Sequence, residues 1–202
     1  MLAMSVTHIE LSRRYKGASL DQRRLERRGQ LIEAAIGVYG ERGYRSATVK
    51  SVCQAAGLTE RYFYESFANS EALLGAAFEQ VMIHLLARMT EAAESAGADP
   101  PARARATLMA YYTVLRESPQ GARVFLVEIF GVSPEVDALL RKALKDMAGV
   151  LLHRDVAVGD LVAAGAIGAV IQIALDWIAS GYQAPVDEAV EIALDACRGA
   201  LG

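Results

Sequence analysis

Between Thr59 and Ser66 the chain reads T-E-R-Y-F-Y-E-S. If this stretch is a helix that buries Phe63 and, one turn on, Phe67, its other face must carry Glu60, Arg61, Tyr62, Tyr64 and Glu65. Those side chains suit the reading of a DNA major groove. An arginine fork donates to guanine O6 and N7, a glutamate accepts from cytosine N4, and a tyrosine reaches a phosphate or a thymine methyl. Nothing comparable points to catalysis. His8, His84 and His153 lie in separate segments, and Cys53 and Cys197 are far apart. No G-x-S-x-G elbow, phosphate-binding glycine loop or H-E-x-x-H helix is present. No metal, no cofactor and no enzymatic activity are expected, and Cys53 reads as a small hydrophobe.

The elements that would hold this face are written just upstream. Thr48 is placed to cap a short helix with Val49, Val52, Cys53 and Ala56 at i, i+3, i+4 and i+7. Gly57 supplies the left-handed residue that ends it, Leu58 fills the corner, and Thr59 is placed to cap the next helix. Two short helices across a glycine turn make a helix-turn-helix, whose second helix enters the major groove.

Charge is distributed to match. Residues 1–69 carry 11 Lys/Arg against 7 Asp/Glu, whereas residues 70–202 carry 10 against 17. A basic head on an acidic body suits a polyanionic partner for the N-terminal part. Arg13, Arg14, Lys16, Arg23, Arg24, Arg27 and Arg28 form an arm that can meet phosphates or the minor groove. With 53% apolar residues over 202 positions the chain can bury a sizeable core. Two unpaired cysteines and the lack of a signal-peptide core fit a reducing, cytoplasmic setting. The apolar run from Leu161 to Leu175 is too short for a membrane span, so no membrane partner is expected.

No stretch alternates as a half-buried strand does, and hairpin dipeptides are absent. The fold class expected is all-α, with helices near 21–41, 48–55, 59–66, 70–96, 101–117, 119–130, 134–153, 159–181 and 185–201. Pro101, Pro119, Pro134 and Pro185 mark helix starts, where a missing N–H costs nothing. Residues 1–69 read as a DNA-binding domain with a basic arm, and 70–202 as an effector-binding and dimerisation domain.

In the second part a few polar groups interrupt apolar helices, the pattern of a ligand cavity. The candidate effector residues are Met109, Tyr112, Phe125, Glu128, Met147, Gln172, Asp176 and Trp177. Gln172 leads, because an amide deep in an apolar helix needs partners. The last helix is apolar on two sides: Val186, Val190, Ala193, Cys197 and Leu201 on one, and Ala189, Ile192, Ala196 and Ala200 on the other. One side can pack on its own subunit and leave the other for a second copy.

The run from Tyr39 to Leu74 resembles the DNA-binding head of the TetR family of bacterial transcriptional regulators. The resemblance rests on YGERGYRSATVKSVCQAAGLT, on Tyr64-x-x-Phe67, and on Asn69-Ser70-Glu71 before Leu73 and Leu74. It implies a three-helix head on a helical ligand-binding domain, in a homodimer joined by its last two helices. It also implies a repressor released from a near-palindromic operator by a small effector, here a mainly apolar or aromatic one. Carried over by position, Thr48 and Lys50 would meet DNA from the second helix, Thr59, Glu60, Arg61, Tyr62, Tyr64 and Ser66 from the third, and Ser70 from the fourth. The alternative is a helical small-molecule-binding or interaction protein that keeps the head without strong DNA affinity.

Overall fold

In the computed structural model the backbone is described for residues 5–157 and 159–201, and side chains from Ser19 to Leu201 except Val158. Among these residues every regular element is helical. The elements are α1 (Ser5–Arg42), α2 (Val49–Ala56), α3 (Glu60–Ser66), α4 (Ser70–Ser95), α5 (Pro100–Glu117), α6 (Pro119–Arg123), α7 (Pro134–Leu152), α8 (Leu161–Ala179) and α9 (Val186–Leu201). A 3-10 turn at Tyr44–Ser46 precedes α2, and a π-helical turn at Val124–Glu128 continues α6.

Most boundaries follow local chemistry. Thr48 and Ser51 form a reciprocal capping box at α2. Asn69, Asp99, Ser133 and Asp160 each accept a backbone N–H two or three residues into the helix they open. Asp99 starts α5 at Pro100, one residue before the start expected at Pro101. Thr59 and Ser118 open α3 and α6 without a side-chain cap, so the cap expected at Thr59 is not made.

Two elements depart further. The apolar period predicts a start near residue 21, yet α1 reaches back to Ser5. No proline breaks that stretch, and a helix lacking an apolar stripe leaves no period to read. The single helix expected over 119–130 is instead a short α-helix and a π turn, which sends Val124, Phe125 and Leu126 into the core.

One continuous core runs through the chain. In the head, α1 contributes Leu31, Ile32, Ala35 and Tyr39, α2 Val52 and Cys53, and α3 Phe63, with Phe67 and then Leu73 and Leu74 of α4 beside them. Phe63 is completely buried and packs on Phe67 with ring centroids 5.9 Å apart. The N-terminal turns of α4 close the head while the rest of α4 packs on α5 and α7. One rigid helix therefore spans head and body.

Candidate nucleic-acid interface and effector region

The turn between α2 and α3 has the predicted geometry. Gly57 sits at φ 66°, ψ 27°, its N–H reaches the carbonyls of Cys53 and Gln54, and the Leu58 N–H donates to Cys53 O at 2.9 Å. Phe63 is buried and the outer side of α3 faces solvent among the described residues. Thr59, Glu60, Arg61 and Tyr64 are exposed, as are Thr48 and Lys50 on α2. Tyr64 is 61% exposed, a large solvent share for an aromatic ring on a packed head. Ser66 and Ser70 are half-buried.

Tyr62 is half-buried because Arg27 of α1 lies over its ring, 4.3 Å from the centroid. Arg27 also approaches Glu65 at 4.0 Å, and Glu65 accepts from Arg61 Nε at 3.0 Å. Arg28 stacks on Phe67 at 4.6 Å. The four described arginines of the expected seven-residue basic arm thus divide in role. Arg27 and Arg28 brace α3 from behind, and Arg23 and Arg24 stand in solvent. Arg13, Arg14 and Lys16 lie outside the described side chains.

The eight candidate effector residues are scattered. Tyr112, Phe125, Met147 and Trp177 are buried in the body core, and Met109 lies at its edge. Tyr112 donates to Val170 O at 3.2 Å, and Trp177 Nε1 donates to Ala184 O at 2.8 Å. Tyr111, Tyr112, Trp177 and Tyr182 form an edge-to-face row with centroids 4.9 to 5.6 Å apart. The Tyr111 hydroxyl, fully buried, has no partner among the described residues, and burial raises its pKa well above the ordinary phenol value.

Gln172 is not the buried amide the apolar run suggested. It is exposed and donates to Asp176 at 3.2 Å, one turn along the same exposed side of α8. The run misleads because α8 buries only Ala163, Ala166, Ile167, Val170, Ala174 and Trp177. Its other side is equally apolar but uncovered, with Leu161 83% and Val162 56% exposed. On α9, Ala189 joins Val186, Val190, Ala193 and Cys197 inside, a shift from the stripe predicted, while Ile192 and Ala196 remain exposed.

Glu128 also stands elsewhere than expected. Its carboxylate, 10% exposed, accepts from the Tyr44 backbone N–H at 2.7 Å and from Arg123 Nε at 2.9 Å. It therefore ties the π turn to the loop that follows α1. Gly43 there has φ +83°, and a Cβ on it would lie 3.4 Å from this ion pair. Next to it, a Cβ on Gly40 would come within 2.4 Å of Gln120 Cα, so α1 and α6 are in backbone contact. This clasp joins head to body beside α4.

Sequence reasoning passed over a groove between α7 and α8, of about 570 Å³, and an adjoining cleft of about 730 Å³ at the α4–α5–α7 end. Arg141 and Lys145, one turn apart on α7, are the available signal.

Residues 31–77 match the family model described as "Bacterial regulatory proteins, tetR family". The chain is 26% identical over 183 residues to the HTH-type transcriptional activator FasR of Mycolicibacterium smegmatis, covering 87% of this chain and 83% of FasR. It is 30% identical over 89 residues to the HTH-type transcriptional repressor KstR2 of Mycobacterium tuberculosis, 44% of each chain. Among solved structures, FadR from Bacillus halodurans, a fatty acid degradation regulator, superposes with TM-score 0.72 at 19% identity over 87% of this chain and 95% of its own. FadR from Bacillus subtilis, solved in complex with stearoyl-CoA, gives 0.69 at 19% identity over 86% and 97%. The helix-turn-helix geometry and these matches agree: residues 31–77 are a TetR-family helix-turn-helix domain, and the chain as a whole is similar to ligand-responsive, DNA-binding transcriptional regulators.

Proposed function

We propose that residues 1–69 are the DNA-binding domain and residues 70–202 the effector-binding and dimerisation domain of a one-component regulator acting in the cytoplasm. The observation that carries this reading is the outer side of α3. Glu60, Arg61 and Tyr64 project from a head whose core is closed, and Thr48 and Lys50 flank them. In the DNA complex Arg61 and Glu60 read base edges, Tyr62, Tyr64 and Thr59 settle the helix in the groove, and Thr48, Lys50, Ser66 and Ser70 meet the backbone.

A second copy completes the molecule. The uncovered side of α8 together with Ile192 and Ala196 of α9 forms an apolar seam, and Gly165 and Gly168 allow close helix approach. Pairing there sets two α3 helices one DNA turn apart, about 34–36 Å, over a near-palindrome. The effector prefers a head spacing that misfits successive grooves, so its binding shifts the population off DNA. Head and body communicate along α4 and through the Glu128 clasp. Relatives that regulate fatty acid metabolism support an effector that is largely apolar. Repression is the sign favoured for this chain.

A mobility-shift titration with the DNA upstream of the protein's own gene tests the reading. A specific complex is expected whose affinity falls steeply with salt, as contacts to several phosphates require. Absence of any complex at low salt overturns it in favour of a helical ligand-binding protein with an idle head.

A further inference from the structure

The acidic body contains ten Lys/Arg. Six of them, Arg88, Arg105, Arg123, Lys142, Arg154 and Arg198, pair with carboxylates. Among the described residues Arg103, Arg116, Arg141 and Lys145 have no carboxylate within 4.0 Å. Three of these four, Arg103, Arg141 and Lys145, line the two adjoining cavities at the far end of the body.

The first cavity is an apolar groove of about 570 Å³, within the roughly 300–1,000 Å³ usual for ligand sites. Its floor is Ala148, Ala163 and Ile167, all nearly inaccessible to solvent. Its wall along α8 runs from Leu161 to Ile171, roughly 15 Å at the helical rise. Arg141 and Lys145 stand at its rim. The second cavity, about 730 Å³, is polar and takes in Arg103, Lys145, His153 and Arg154. Lys145 and Val156 line both, so the two spaces meet at one point.

Within the polar cleft Arg103 is held ready for an anion. One guanidinium nitrogen lies 2.8 Å from His153 Nδ1, which must accept because a guanidinium only donates. Its Nε is buried and, among the described residues, has no partner, a donor left open where buried polar groups are usually paired. Glu94, Asp146 and Asp155 also border the cleft. Asp146 is held by Lys142, which leaves Lys145 free of it.

We propose that these cavities form one two-part site for a single-chain amphiphile. The long acyl chain lies in the α7–α8 groove, and a phosphate-bearing head of the coenzyme A type lies on Arg103, Arg141 and Lys145. This rests on the reading of the body as the effector-binding part, and it names the effector's class. The groove opens on the flank of α8 that faces α7. The opposite flank packs on α9, where the Cys197 thiol donates to Ala166 O. A partner subunit on the exposed ridge therefore borders the groove at Leu161 and Gly168 without filling its floor.

Calorimetric titration of the full-length protein, without DNA, tests the site. Butanoyl-, octanoyl-, dodecanoyl- and hexadecanoyl-CoA, free coenzyme A and hexadecanoate serve as probes, below their micellar concentrations. Affinity should rise roughly tenfold for every two methylenes until the groove is filled. Hexadecanoate should bind at least tenfold more weakly than hexadecanoyl-CoA. The surface variant R141E/K145E should lose at least tenfold for hexadecanoyl-CoA, and A164W should flatten the chain-length series. Thermal melts and light scattering of both variants report fold and assembly. Chain-independent affinity, an R141E/K145E affinity within twofold of the unaltered protein, or hexadecanoyl-CoA bound only by dissociated subunits would each overturn the proposal. Operator binding is measured separately on the same preparations, so the site can fail while the regulator stands.

Discussion

Arg61 spends the DNA-free state paired with Glu65 while its side chain stays 84% exposed. An exposed pair of this kind is worth about 0–1 kcal/mol, whereas a bidentate contact to guanine discriminates by about 1–3 kcal/mol. DNA can therefore take Arg61 from Glu65 at little cost. Arg61→Ala should weaken operator binding by about that amount and relax preference at one base position. Lys50→Ala should weaken all sequences alike and lower the salt slope by about one; fluorescence anisotropy across a salt series reads both. The thiols behave differently. Burial, helped by the Glu60 carboxylate, pushes the Cys53 thiol up, and burial does the same to Cys197. A raised thiol pKa keeps the reactive thiolate scarce at neutral pH and delays it to more alkaline pH. Native protein should thus resist iodoacetamide near pH 7.5 and alkylate quickly once denatured; rapid native modification would show the head core to be open. The inward pair Phe63 and Phe67 was legible because helical period alone decides it. Glu128 was not, since its partner is a backbone N–H at Tyr44, and no side-chain pattern records that.

At the scale of elements, the head meets the body through three backbone-level joints: α4 itself, the Gly40–Gln120 approach and the Glu128 clasp. Gly40→Ala places a methyl 2.4 Å from Gln120 Cα, and neither backbone can yield without shifting α6. Overpacking of this type costs about 1–3 kcal/mol or more, so a lower melting temperature is expected by differential scanning calorimetry. Glu128→Ala leaves the Tyr44 N–H and Arg123 without their acceptor, at about 1–3 kcal/mol. Because the loss falls between the two parts, effector affinity measured without DNA should stay within about twofold, while the effector's power to release DNA drops. Equal release by both proteins would assign the coupling to α4 alone. Helix placement was largely readable because Asn69, Asp99, Ser133 and Asp160 announce their helices. The π turn after α6 and the N-terminal reach of α1 were not, since one is a change of winding within an apolar stretch and the other a helix without an apolar stripe.

At the scale of the whole molecule, the proposed pairing rests on the surface that one chain leaves open. One chain leaves a ridge of α8 and part of α9 apolar and uncovered, which a folded monomer in water does not favour. Leu161→Glu and Ile192→Glu are expected to halve the mass seen by light scattering and to weaken operator binding, because each half-site is then held alone. A dimer that survives both changes would move the seam elsewhere. The apolar run of α8 concealed this, since composition reports how apolar a helix is and not how many of its sides its own chain covers. The central claim, that paired α3 helices read a duplex through Glu60, Arg61 and their neighbours, is tested most directly by selection from a randomised duplex library. The account predicts one enriched near-palindrome with half-sites one turn apart, and loss of preference at a single symmetric position with Arg61→Ala. Enrichment of no motif, or of the same motif by both proteins, would contradict it.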